Sequence, residues 1–294
     1  MAAQMCRAML AAVAMLSMVS SAAAVEVCKV VDLQLVTQTG EFFLAVTFLV
    51  MGVSTVIFVL MAFKAAHEKR QFYFTTCYIT AIATFGYYAM LSGQGWLITP
   101  NCRQLFYVRY VEWFATTPLI LLDLGLIAGA DMPTLITVMA ADMMYIFASF
   151  MATVSSGYIK WLWFVLSLFI LVPLIYVMVR GFKGMVEKGH PSVVELYNKV
   201  SILSAIVWAL YPLVYILAAG TGDWSPNFET MIYGVLDIMS KAVFGFILLL
   251  SHEGLDRVTN FKGFAPIREA PTNYGTPMPA RSTQPGGTVE SYIQ

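Results

Sequence analysis

Residues 42–63 read FFLAVTFLVMGVSTVIFVLMAF, a run without a single charged side chain. A helix needs about 20 consecutive apolar residues to cross a bilayer, so this run is long enough to span one. Lipid offers the backbone no hydrogen-bond partners, and a spanning segment must therefore be helical. The run predicts a transmembrane helix.

Six further apolar runs follow, and each is also long enough to span a bilayer. They cover residues 72–98, 105–128, 133–153, 161–179, 200–219 and 231–251. The chain is 59% hydrophobic and 12% charged, whereas about 25% of the residues of a soluble domain are charged. The sequence therefore predicts an all-α bundle of seven transmembrane helices. A net charge of zero gives no indication of a nucleic-acid partner.

The two ends of the chain differ from this membrane domain, which we place at residues 41–252. Residues 1–24 combine a basic start, a short apolar run and small residues, as a cleaved signal peptide does. The alternative is that this segment stays attached as an anchor. Residues 25–40 are expected to be an extracellular amino-terminal segment. Residues 253–294 are rich in Pro, Gly, Thr and Ser, and we expect a largely disordered tail.

Lysine and arginine in short loops predict the orientation of the helices. The first loop, the loop after the fifth run and the tail together carry eleven of these residues, whereas the opposite side carries Lys29, Arg103 and Lys160. The more basic side is expected to be cytoplasmic. The prediction is therefore an extracellular amino terminus and a cytoplasmic carboxyl terminus, in the plasma membrane.

Six ionisable residues lie inside the apolar runs. A charge at mid-membrane costs at least about 2.5 kcal/mol on insertion scales, so such residues are expected to have partners and functions. Residues near helix ends can instead extend to the surface, but Lys241 is eleventh in its run. The six residues are Arg109, Glu112, Asp123, Asp142, Asp237 and Lys241.

Helical periodicity places these charges on common faces. Arg109, Glu112, Thr116 and Asp123 fall within an arc of about 60° on one helix. Glu112 and Asp123 are about 16 Å apart along the helix axis, a separation suited to two stations on one pathway.

Asp237 and Lys241 are four residues apart and share a face of the last helix. Such a buried lysine could form a structural ion pair. The alternative is that its amine forms a Schiff base with an aldehyde.

Three motifs on three helices resemble the microbial rhodopsins, in particular the bacteriorhodopsin-like pumps. The run RYVEWFATTPLILLD (109–123) resembles their third helix, WALYP (208–212) resembles their sixth-helix retinal cage, and LDIMSK (236–241) resembles their retinal-lysine helix. The match covers roughly residues 40–252. It implies a light-driven outward proton pump, an ion transporter rather than an enzyme.

The resemblance also implies roles for individual residues. Lys241 would hold all-trans retinal as a protonated Schiff base, which light isomerises to 13-cis. Glu112 and Asp237 would be its counterions, with Arg109 below them. Glu112 would also accept the Schiff-base proton, and Asp123 would return one.

Further positions follow from the same resemblance. Thr116 would bond near Glu112, Thr76 would neighbour Asp123, and Glu229 would belong to the proton-release group. No metal is implied. The remaining positions implied to surround retinal or its counterions are Trp113, Thr117, Ile120, Asp142, Trp208, Tyr211, Pro212, Tyr215 and Tyr87, with Asp142 paired to Thr117.

The sequence departs from the bacteriorhodopsin-like pumps at two places. Glu112 stands where their proton acceptor is aspartate, and Gly220 stands where a second release-group carboxylate is expected. Asp223, three residues later, is a candidate substitute. Apolar Ile120 implies green rather than blue absorption, and Ser240 should shift it somewhat towards the blue.

Three other functions remain open. They are a light-gated ion channel and a sensory photoreceptor of the same family, and a seven-helix receptor without retinal. The expected partners are membrane lipid, protons and further copies of the chain in an oligomer such as a trimer.

Cys28 and Cys102 are predicted to form a disulfide. The predicted orientation places both outside the membrane, in an oxidising compartment where disulfides persist. The alternatives are free thiols or pairing of Cys28 with another protomer.

Overall fold

The computed structural model describes Cys28, residues 33–251 and Val258. The predicted signal peptide (1–24) and almost all of the predicted tail (253–294) lie outside these described residues. The membrane domain is described almost completely.

The described residues form seven long helices in a mostly helical structure. Six of them are long and apolar enough to cross a membrane. The second helix has 22 residues, but four threonines and four tyrosines make it less apolar. The helices are α1 Gln38–Lys64, α2 Arg70–Leu91, α3 Tyr107–Ala128, α4 Met132–Val154, α5 Gly157–Val186, α6 Pro191–Gly220 and α7 Pro226–Leu250.

The predicted helix boundaries are wrong between α2 and α3. The apolar run was expected to stay helical to residue 98, but α2 ends at Leu91. Leu97–Ile98 (β1) instead pairs antiparallel with Gln104–Leu105 (β2) in a short hairpin. Leu97 is 2% exposed, so these apolar residues are buried by protein. Hydropathy alone does not distinguish this burial from contact with lipid.

The helices pack as a closed ring, because each of α1 to α6 contacts the next helix and α7 contacts α1. Two glycines of α7 allow its close approach. A Cβ atom at Gly234 would lie 2.6 Å from Oγ1 of Thr47 on α1, and one at Gly245 would lie 2.8 Å from the Phe58 ring. α7 therefore packs closely against α1.

The outer surface of the bundle carries large apolar side chains. Phe63 is 79% exposed and Phe169 is 78% exposed. The charged residues predicted inside the membrane are instead buried in the interior of the bundle. This arrangement is the one expected of a protein surrounded by lipid.

Three of the helices contain a π-helical turn. These turns cover Val177–Phe182 in α5, Ile216–Gly220 in α6 and Ile238–Val243 in α7. Such turns are rare and occur frequently at functional sites. The turn in α7 contains Lys241, whose side chain is buried at the centre of the bundle.

A disulfide joins Cys28 to Cys102, with Cα atoms 5.6 Å apart, and that prediction is confirmed. Beside it, the Gln34 amide donates to the Cys102 carbonyl, and the Gln104 amide donates to the Gln34 carbonyl. The amino-terminal segment is thus fastened to the hairpin. We call this end of the bundle, which also contains Arg103 and Glu229, the disulfide end.

Removing the disulfide by the double substitution Cys28→Ser and Cys102→Ser should lower the thermal midpoint for loss of helicity. In the chain-entropy model, a loop of this length stabilises the fold by about 4 kcal/mol, and strain reduces that value. Circular dichroism on purified protein measures the change. Cys77→Ala, which removes a free buried cysteine, is the control, and equal midpoints for the two proteins would contradict the expectation.

Candidate functional site

A buried ammonium group lies between two carboxylates at the centre of the bundle. Nζ of Lys241 donates to Oδ1 of Asp237 at 2.6 Å and lies 3.3 Å from Oε1 of Glu112. The lysine is 1% exposed, and both carboxylates are also buried. The structure thus brings together the predicted charges of α3 and α7.

Asp237 accepts hydrogen bonds from four side chains on four helices. Tyr87 of α2 donates to Oδ2 at 2.6 Å. Trp113 of α3, Tyr211 of α6 and Lys241 of α7 all donate to Oδ1, at 3.0, 2.6 and 2.6 Å. Charge-assisted bonds of this kind are among the stronger ones in proteins. Asp237 is therefore a fixed anion that joins four helices.

Glu112 is held by fewer groups. Its Oε1 receives a hydrogen bond from Thr116 at 3.1 Å, whereas its Oε2 is buried without a partner among the described residues. A Cβ atom at Gly86 would lie 3.1 Å from Cγ of Glu112. The glycine on α2 leaves space for a glutamate side chain, which is one methylene longer than aspartate.

Arg109 lies one turn from Glu112, on the side of the disulfide end. Its guanidinium carbon is 4.7 Å from the centre of the Tyr233 ring, and its charge interacts with both Asp237 and Glu229. Nε and Nη2 are buried without partners among the described residues. Arg109 thus links the central charges electrostatically to the disulfide end.

Glu229 is buried at the disulfide end and forms an ion pair with Arg103. The sequence interpretation treated Arg103 only as a loop charge. Asp223, the candidate substitute for a second carboxylate, is exposed and accepts a hydrogen bond from Thr221 at 2.6 Å. The structure does not bring Asp223 into contact with Glu229. No sequence signal indicated that Arg103 is the partner of Glu229, because their contact joins the hairpin to α7.

Asp123 is fully buried on α3, towards the end of the bundle opposite the disulfide. Neither of its oxygens forms a hydrogen bond with a described residue. The hydroxyl of Thr75 is the polar group that interacts with it. Thr76, which the resemblance placed beside Asp123, donates to the Phe72 carbonyl, and its methyl faces Gly245.

Asp142 of α4 and Thr117 of α3 are paired as the resemblance implied. The Thr117 hydroxyl bonds Oδ2 of Asp142 and also lies 2.9 Å from the Trp113 carbonyl. Oδ1 of Asp142 has no partner within the described part of the chain.

A cavity lined by aromatic residues adjoins the central charges. Trp113 and Tyr211, which bond Asp237, form part of its wall. The Tyr215 ring stacks on Phe164 with centroids 4.9 Å apart. Trp208 and Ile120 are buried in the surrounding core without lining the cavity. The lining residues are Tyr110, Trp113, Tyr145, Ser149, Ala152, Phe164, Ser167, Tyr211, Pro212, Tyr215 and Tyr233.

These features define an integral, multi-pass membrane protein whose buried lysine and carboxylates lie beside an aromatic cavity. The sequence-family model for bacteriorhodopsin-like proteins matches residues 38–255 of this chain. The chain therefore belongs to the bacteriorhodopsin-like family and is a microbial rhodopsin.

Individual relatives agree with this assignment. Opsin-1 of Neurospora crassa is 32% identical, over 76% of this chain and 80% of its own length. Bacteriorhodopsin of Halobacterium salinarum is 30% identical, over 68% of this chain and 79% of its own. The crystal structure of the light-driven proton pump of Coccomyxa subellipsoidea is 30% identical with a TM-score of 0.72, over 75% of this chain and all of that one.

Microbial rhodopsins bind retinal, and the residues present fit such a group. The Lys241 amine is shielded from water, as a stable link to an aldehyde requires. The adjoining cavity is lined by rigid aromatic faces that suit a conjugated, cationic polyene. Glu112 and Asp237 supply negative charge next to that amine.

Thr117→Val should destabilise the fold by about 1–3 kcal/mol, because it leaves buried Asp142 without its hydrogen bond. The measurement is the thermal midpoint for loss of helicity. Thr137→Val is the matched control, since this exposed hydroxyl bonds the Pro133 carbonyl of its own helix. A loss of stability no larger than that of the control would contradict a structural role for the pair.

Proposed function

We propose that this protein is a light-driven outward proton pump with retinal linked to Nζ of Lys241. The observation that carries the proposal is a buried ammonium between two carboxylates, Asp237 and Glu112, that are held by different numbers of hydrogen bonds. Asp123 is buried further along α3, the helix that carries Glu112. When bound, all-trans retinal would supply light absorption and an isomerisation to 13-cis that alters the surroundings of the proton at Nζ.

Glu112 is the proposed acceptor of that proton. Asp237 already accepts four hydrogen bonds, so protonation there would disrupt contacts with α2, α3 and α6. Glu112 has one oxygen without a partner among the described residues, and its Thr116 contact tolerates a neutral carboxyl. Protonation therefore disrupts less structure at Glu112 than at Asp237.

Asp123 is the proposed donor that returns a proton to Nζ. A carboxyl group buried without a charged partner is far more stable in its neutral form than as an anion. Asp123 is fully buried, and Thr75 is the polar side chain that interacts with it. It is thus suited to hold a proton between cycles and to give it up when Nζ lacks one.

The direction of transport follows from the orientation of the chain. The more basic loops belong to the end of the bundle near Asp123, which supports a cytoplasmic location for that end. The disulfide supports an oxidising compartment at the other end. Protons would therefore move from Asp123 through Lys241 and Glu112 towards Glu229 and out of the cell.

Light-induced pH change in a suspension of cells that make the protein with retinal tests this function. Illumination should acidify the medium, and a protonophore should abolish the change. Photocurrents under voltage clamp separate the alternatives. Current of one sign at all voltages marks a pump, current that reverses with voltage marks a channel, and pigment without current indicates a sensory photoreceptor.

Lys241→Ala should abolish visible absorbance of the purified protein with added retinal, because it removes the amine that would form the link. Lys199→Ala is the control, since this exposed lysine pairs with Glu195 on the surface. Absorption spectra of the two proteins decide the outcome. A coloured pigment from Lys241→Ala would refute the retinal site.

Glu112→Gln should red-shift the absorption maximum and stop light-driven loss of the proton from Nζ. The substitution removes one of the two negative charges beside Lys241 and with it the proposed acceptor. Flash photolysis measures the blue-shifted form that marks proton loss. Glu112→Asp, which keeps a carboxylate, should still produce that form, whereas its normal appearance in Glu112→Gln would exclude Glu112 as acceptor.

Asp123→Asn should slow return of the proton to Nζ by about a hundredfold, a typical contribution of a positioned acid. The return should also become dependent on the pH of the medium, because protons would then come from water. Decay of the blue-shifted form measures the rate. Asp131→Asn, an exposed residue that caps α4, is the control, since asparagine also caps helices well. Equal rates in the two variants would rule out Asp123 as donor.

A further inference from the structure

Arg103 is a buried arginine at the disulfide end, 5% exposed, in the turn of the hairpin. Its Nε donates to Oε2 of Glu229 at 3.0 Å, and its Nη2 donates to the same oxygen. Its Nη1 donates to Oε1 of Gln34 at 3.0 Å and to the Trp224 carbonyl at 2.8 Å. All three nitrogens of the guanidinium are therefore engaged.

The surroundings hold this guanidinium in place. Cys102, the residue before Arg103, is bonded to Cys28. The Arg103 carbonyl accepts hydrogen bonds from the amide and the hydroxyl of Thr99, at 2.9 and 3.1 Å. Gln34 belongs to the segment that the disulfide fastens to the hairpin. The amino-terminal segment, the hairpin and the loop before α7 thus all position Arg103 against Glu229.

We propose that Arg103 is a positioning residue for Glu229, the carboxylate through which protons leave the proposed pump. Because of this ion pair, Glu229 stores no proton in the dark. The protein therefore takes up a proton at the Asp123 end before it releases one at the disulfide end. This inference rests on the proposed pumping function and adds the order in which protons leave and enter.

The ion pair implies this order through a simple proton balance. A carboxylate paired with a guanidinium carries no proton, so light has none to expel from Glu229 when Glu112 first receives the proton from Nζ. For that proton to leave through Glu229, one Arg103–Glu229 contact must break, and it forms again when the proton enters the medium. Because breaking a buried ion pair is costly, the proton stays on Glu112 until Asp123 has refilled Nζ and has itself been refilled.

Other ionisable groups face Glu229 but do not replace Arg103. Arg109, Tyr110 and Tyr233 interact with it electrostatically, whereas Arg103 bonds it directly. A small cavity adjoins the pair and is lined largely by polar residues, including Thr99, Asn101, Gln104 and Thr153. The cavity gives a released proton a polar route away from Glu229.

The experiment records proton release and uptake after a laser flash with a pH-sensitive dye. The wild-type protein should take up a proton first and release one later. In Arg103→Gln, Glu229 loses the cation that bonds it directly, and a buried carboxyl without such a bond is expected to hold a proton in the dark. Light can then expel that proton early, so release should precede uptake. Arg103→Lys keeps a cation and should retain the wild-type order.

Lys160→Gln is the matched control, because it removes one positive charge from the same end of the bundle. Lys160 contacts the Gly220 carbonyl and the Trp161 ring rather than Glu229, so the wild-type order should persist. Release before uptake in the wild type would overturn the inference, as would an unchanged order in a coloured Arg103→Gln protein. If Arg103→Gln forms no pigment, the order of proton release and uptake in the wild-type protein decides whether the inference holds.

Net transport in the same preparations separates this inference from the function on which it rests. Protonophore-sensitive pumping by the wild type, with release first, overturns the role of Arg103 alone. Absence of pumping in a coloured wild-type protein overturns the proposed function and the inference with it. Pumping with uptake first in the wild type and release first in Arg103→Gln supports both.

Discussion

The ammonium of Lys241 is the charge on which the rest of this bundle depends. Removing an isolated cation from water costs several kcal/mol even after the surroundings relax, so a lysine 1% exposed requires close anions. Asp237 and Glu112 provide them from two different helices. The hydrogen bonds that Asp237 receives then fix α2, α3 and α6 around α7. The geometry of the bundle interior thus follows from satisfying one buried charge.

The two carboxylates are chemically similar but held differently, and that difference gives the proposed mechanism its direction. Asp237 accepts bonds on both oxygens from groups anchored on several helices. Glu112 has a longer side chain in the space beside Gly86, with one oxygen that no described residue bonds. A proton moving from Nζ therefore disrupts less structure when it goes to Glu112. In the proposed mechanism, unequal anchoring rather than unequal charge selects the acceptor.

The sequence predicted the features that depend on local pattern. Apolar length located the helices, and helical spacing placed Asp237 beside Lys241 and aligned Glu112 with Asp123. Features that depend on contacts between distant segments could not be read in this way. Hydropathy assigned Leu97 and Leu105 to helices because burial by protein and contact with lipid favour the same residues. The contact of Gly86 with Glu112 has no sequence signal either, because it depends on how closely α2 approaches α3.

The pairing of Arg103 shows most clearly why the site could be predicted only in part. An arginine in a loop is ordinarily exposed to solvent. Counting loop charges to predict the orientation of the helices assumes that exposure. Here the disulfide and the hairpin bury it against a carboxylate 126 residues away. The two ends of the proposed pathway consequently differ, because no described residue forms an ion pair with Asp123 whereas Glu229 has a guanidinium. In the proposed pump, a proton is therefore stored at the entrance and a negative charge at the exit. The resting protein can therefore supply a proton at its entrance but has none to release at its exit, so the burial of one arginine at one end sets the order in which the proposed pump exchanges protons with the two sides.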